Sequence, residues 1–217
     1  MVEKSYHSGV KFNVLTGFLV LLAAPVSGHP HIFADENVEI EVQGTQLKGF
    51  WTQWEFDVFF SNEIRTECGV THEGACSPQE TLRVQKGYFN YLVNSHYYTY
   101  AWNNGKSLSL TATKFTTWSD AGRMVFRWFV PIERAIPQGT QLILSFYDEE
   151  FYTDFHFREE SPWVVTGAES FTCSGVIQEN PEVSFYGVIH PKDLMIDLRP
   201  KSKVPTTSVH GVIYRQG

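Results

Sequence analysis

Side chains alternate with a period of two along much of this chain, and that alternation constrains the fold more than any other feature. Val38, Ile40 and Val42 face one way while Glu39 and Glu41 face the other, as in a half-buried strand. Gln43-Gly44-Thr45-Gln46 reads as a hairpin turn, and residues 47–56 as the returning strand. Strands are expected again at 96–102 and 106–116, joined by Asn103-Asn104-Gly105, whose Asn-Gly pair tolerates the positive φ of a tight turn. Gly122–Val130 sets Met124, Phe126, Trp128 and Val130 on one face. Thr140–Tyr147 and Phe151–Phe157 follow, and Trp163–Thr166 and Val183–Val188 are read as shorter strands. Aromatic residues make up 15 % of the chain, which agrees with strands.

The period changes only between about 57 and 94. Asp57 stands where an N-cap belongs, before a short helix over 57–64. Ser77-Pro78-Gln79-Glu80 opens a second helix with a cap, a first-position proline and a glutamate three residues on. Leu82, Gln85, Phe89 and Leu92 then recur at helical spacing up to Asn94. The expected fold is mainly β (α+β), an antiparallel β-sandwich with a two-helix insertion at about 57–94. One domain is expected over 29–199, followed by a fraying tail over 200–217.

The first 28 residues read as an address. Lys4 and Lys11 precede the apolar stretch Phe12–Ala24, and Pro25-Val26-Ser27-Gly28 supplies small residues for cleavage after Gly28. A cleaved signal peptide and a periplasmic location are therefore expected, with His29 as the new N-terminus. No apolar run reaches the roughly 20 residues of a spanning helix, so no membrane span is expected in the mature chain. A net charge of −7 argues against a nucleic-acid partner.

That cut gives His29-Pro30-His31 its chemistry. His29 would carry a free α-amine beside its imidazole, and both nitrogens can lose their protons near neutral pH. His31 lies two residues on, on the same side of an extended chain. Pro30 has no N–H, which blocks wrapping of an ion by successive deprotonated amides. The remaining clamp of amine and imidazoles suits Zn, Ni, Co or Cu. The plain alternative is two exposed histidines at a loose terminus. Asp148, at a strand end in Tyr147-Asp148-Glu149-Glu150, and Asp57 are candidate oxygen donors to the same ion. For Asp57 the stronger reading is the helix cap, and for Glu149 and Glu150 an acidic surface turn. Asp154 and His156 share one strand face and form a further metal-compatible pair.

Cys68 and Cys76, with seven residues between them in a polar loop, are compatible with a local disulfide. A zinc site of Cys68, His72 and Cys76 is the weaker alternative, because a fourth ligand is missing. Cys173 reads as a small buried hydrophobe. The chain has no phosphate loop, no G-x-S-x-G and no H-E-x-x-H, and it is read as a non-enzyme.

His29-Pro-His-Ile-Phe33 after a signal peptide, Trp54-Glu-Phe-Asp57 with Phe60-Ser61, Gly87-Tyr-Phe89, Tyr147-Asp148 and Phe151-Tyr152 occur in an order that resembles a known family. It is a family of bacterial proteins of unknown function, labelled the periplasmic component of an uncharacterised ABC-type transport system. The resemblance covers about 29–175 and implies a metal-related role beside a nickel, cobalt or zinc transporter in the membrane. Two departures stand out. Relatives carry an EF-hand-like Asp-x-Asp-x-Asp-Gly loop where this chain has Cys68–Cys76, so calcium binding is not carried over. Relatives often have Pro after the Tyr-Asp pair, where this chain has Glu149. The reading is thus a metal-binding accessory of a divalent-metal transport system. A metal-free docking subunit is the alternative, and a copper enzyme using the N-terminal histidine and His156 a more distant one.

Overall fold

The computed structural model describes residues 30–201. The expected leader over 1–28, His29 and the segment from 202 to 217 lie outside the described residues.

The period-two stretches form strands that build two sheets. β1 (Ile32–Gln43) and β2 (Gln46–Phe56) make the expected hairpin, with Ala34 opposite Phe56 and Ile40 opposite Phe50. β2 pairs antiparallel with β7 (Arg123–Ala135), which pairs with β6 (Thr113–Asp120), which in turn meets the two-residue β3 (Gly74–Ala75). The outer edge of β1 is covered by two strands in turn. β9 (Thr153–Phe157) lies along residues 32–36 and β10 (Trp163–Thr166) along 38–41. Both run parallel to β1, so this sheet is mixed where an antiparallel one was expected. Parallel pairing joins segments more than 100 residues apart, and no turn between them announces it.

The second sheet has the order β11-β12-β8-β4-β5. Here β4 is Thr99–Asn103, β5 Lys106–Ser107, β8 Thr140–Phe146, β11 Phe171–Glu179 and β12 Lys192–Pro200. Two expectations are corrected here. Val183–Val188 is a turn-rich segment held by a single Phe185–Ile189 bridge rather than a strand. Pro200 belongs to β12, paired with Phe171, and is not the start of a tail. The expected strand over 106–116 is likewise split, with residues 108–112 outside any strand.

Both sheets face one core cluster. Ile40, Phe50, Trp54, Phe126 and Trp128 come from the first, and Leu142, Leu144, Leu194 and Ile196 from the second. Each of these side chains is at most 1 % exposed. Gly49 sits where β2 slips by one residue against β7, and any Cβ there would collide with the Val130 carbonyl oxygen.

Two α-helices occupy the insertion. α1 (Val58–Cys68) begins at Asp57, whose carboxylate accepts from the Phe59 and Phe60 amides. It ends at Gly69 with φ 67°. α2 (Pro78–Val84) carries the full capping box, with Ser77 Oγ accepting from Glu80 N and Glu80 accepting from Ser77 N. The buried face matches the expected one at Phe89 and Leu92 and departs from it before them. Leu82 is 49 % exposed, while Val84, Tyr88, Phe89 and Leu92 are buried. A π-helical turn over Gln85–Phe89 inserts the extra residue that rotates the stripe.

Candidate functional site

A cleft with a volume of about 440 Å³ opens between the start of β1, α1, the π-helical turn and the loop before β9. His31 stands at its edge. The His31 amide donates to the Tyr152 carbonyl oxygen at 2.9 Å, and the two rings lie 4.9 Å apart. The third residue after the expected cut is therefore fixed to the frame of the molecule.

The two aspartates expected as oxygen donors do not line this cleft and instead bond main-chain amides of segments beside it. Asp57 Oδ2 accepts from the Phe33 amide at 3.0 Å, and the Asp57 amide donates back to the Phe33 carbonyl at 2.9 Å. With Oδ1 on α1, Asp57 clips the helix to the beginning of β1. Asp148 is 5 % exposed, and its carboxylate accepts from the amides of Glu150, Tyr152 and Thr153. Those bonds hold a turn in which Phe151 has φ 53°, and that turn presents Tyr152 to His31. His31 lines the cleft while neither Asp57 nor Asp148 does; both aspartates are engaged on main-chain amides, and Asp148 lines a separate pocket with His96 and Tyr100.

The opposite wall is aromatic and acidic. Tyr88 donates to Glu67 Oε2 at 2.6 Å and lies 3.5 Å from Glu63 Oε1. Burial, and then the Glu67 carboxylate, push the Tyr88 phenol well above its ordinary pKa. Burial and the nearby Asp148 charge push Tyr98 up to about 12, and burial followed by Glu63 raises Tyr91. All three phenols remain neutral at physiological pH. Tyr98 also ends a run of three residues, His96, Tyr97 and Tyr98, at φ between 47° and 55°. Left-handed backbone at consecutive non-glycine residues is strained, and such strain clusters where a side chain has to be aimed.

Sequence reasoning missed Glu63, Glu67, Tyr88, Tyr91 and Tyr98. The signal was present, since glutamates four residues apart on one helix share a face. Nothing in the sequence aligned that face with His31.

The other candidates lie elsewhere. His156 pairs with Asp154 at 3.0 Å and lines a separate cavity with His190, away from His31. His72 pairs with Glu80 at 3.3 Å. Cys68, Cys76 and Cys173 are free thiols, each raised in pKa mainly by burial. Among the described residues no three His, Cys, Asp or Glu side chains gather closely enough for a metal ion.

A family model described as a protein of unknown function, DUF1007, matches residues 14–185. An uncharacterised 15.5 kDa protein from the trpE 3′ region of Spirochaeta aurantia is 29 % identical over 133 residues, covering 60 % of this chain and 95 % of that protein. Among solved structures, AChBP from Bulinus truncatus covers 77 % of this chain and 85 % of its own at 10 % identity, with a TM-score of 0.37.

Proposed function

Since the chain belongs to the DUF1007 family of proteins of unknown function, we propose that it is a periplasmic transition-metal-binding accessory of a divalent-metal transport system. One observation supports this reading: the His31 amide is bonded to the Tyr152 carbonyl while His31 lines the aromatic cleft. A chain cut after Gly28 would begin two residues before that anchor. The α-amine and ring of His29 and the ring of His31 would be the nitrogen donors for Zn, Ni, Co or Cu. Asp57 and Asp148 act in this reading by holding the two walls that carry His31, so the clamp is preorganised. The two sheets are read as the layers of a sandwich supporting it. A membrane transporter is the partner in this reading.

Isothermal titration of zinc, nickel or copper into the mature chain tests the proposal. Binding near one equivalent is expected, with His31→Ala weakening it by about tenfold or more, the effect expected for loss of one ligand. Unchanged affinity in both His29→Ala and His31→Ala refutes it.

A second reading, a metal-free docking subunit, is favoured by Phe59. That ring is 87 % exposed on the first turn of α1 at the cleft mouth, with Val58 half exposed beside it. Chelator treatment that leaves both the melting temperature and transporter capture unchanged would support this reading over the first.

A further inference from the structure

The cleft is much larger than a single ion requires, and its far wall has a chemistry the histidine clamp does not use. About 440 Å³ falls within the range of small-organic-molecule sites. Trp54, Phe60, Tyr88, Tyr91 and Tyr98 form much of its lining, and no Lys or Arg lines it. Glu63 and Glu67 converge on the same phenol oxygen of Tyr88, so their carboxylates lie within reach of one small donor. Among the described residues neither glutamate has an ion pair with a Lys or Arg. Two like charges four residues apart on a helix repel. A cation placed between them would turn that repulsion into attraction, and aromatic faces attract cations as well.

We propose that this cleft binds a small organic ammonium ion, its N–H groups shared between Glu63 and Glu67 and its hydrocarbon body laid against the tyrosine and tryptophan walls. The raised phenol pKa values of Tyr88 and Tyr91, to which these carboxylates contribute, agree with a negative potential across the cleft. Binding keeps the ligand charged and makes or breaks no covalent bond. The site does not depend on the amine of His29, so it stands or falls separately from the metal clamp.

The test uses the full chain kept metal-free with EDTA, titrated with cyclohexylammonium chloride and, in parallel, with the neutral analogue cyclohexanol. Tryptophan emission and heat are the readouts, since Trp54 lines the cleft. Saturable one-to-one binding of the ammonium is expected, with cyclohexanol about tenfold weaker or worse. Glu63→Gln and Glu67→Gln should each weaken the ammonium by several-fold to about tenfold and leave cyclohexanol unchanged. Both glutamates are exposed on α1, and far-ultraviolet circular dichroism checks that the variants fold. Equal binding of alcohol and ammonium, indifference to both substitutions, or no saturation with cyclohexyl-, butyl- or benzylammonium overturns the proposal. Zinc titration of the same glutamine variants separates the two sites. Loss of ammonium binding with zinc binding retained is the expected pattern.

Discussion

Glu36 is 1 % exposed on β1, directly opposite Trp54 on β2. Burial holds its carboxyl well above the ordinary glutamate pKa, opposed in part by the neighbouring Trp54 indole. Neither Glu36 Oε1 nor Trp54 Nε1 completes a hydrogen bond of normal geometry, and Thr52 Oγ1 and Trp128 Nε1 are likewise unsatisfied nearby in the sheet. A group whose folded pKa is raised favours the folded state most below its unfolded pKa. That contribution is lost as pH rises through the folded value. Glu36→Gln, which keeps the shape and cannot ionise, should therefore raise the melting temperature at pH 8 by several °C, at about 2–4 °C per kcal/mol for a chain this size. At pH 4 the two proteins should melt together. Parallel pH profiles for variant and parent would remove Glu36 as the source. The sequence hides this residue, because in Asp35-Glu36-Asn37 it reads as one polar residue among others. Only the outward-pointing Glu39 and Glu41 are legible as such.

Elements with local signatures were readable and those without were not. Asp57 and Ser77 announce their helices because capping is a matter of residues three apart. Ser77→Ala should destabilise the fold by about 1 kcal/mol, the usual cost of losing an N-cap, as urea denaturation will show; no change in midpoint would mean that α2 stands without its cap. β7 was legible from Met124, Phe126, Trp128 and Val130, all of which are buried. β12 was not read as a strand, although Leu194, Ile196 and Leu198 alternate and are at most 1 % exposed. β11 is an edge strand with Val176 52 % exposed, so burial imposes little pattern on it. Gly49→Ala tests the slip in β2. The added methyl group would strike the Val130 carbonyl, so a loss of about 1–3 kcal/mol is expected, and a neutral result would show that the two strands can part there.

The cleft is a property of the whole molecule. His31 enters from the first strand, Glu63 and Glu67 from the first helix, Tyr88 and Tyr91 from the turn after the second, and Tyr152 from the loop before β9. The sequence placed the histidines and both aspartates on their elements but could not show that these segments meet. That meeting depends on β9 running parallel to β1 and on the bond from the Phe33 amide to Asp57, 24 residues on. Asp148 instead holds a local turn, through amides two to five residues ahead of it. The central claim is that a histidine liberated beside this cleft holds a transition metal through its own amine and ring. Zinc titration calorimetry on two chains, one beginning at His29 and one carrying an extra alanine before it, tests that claim most directly. The account predicts binding near one equivalent for the first and an affinity about tenfold lower or worse for the second, which lacks the chelating amine. Superimposable isotherms would contradict it.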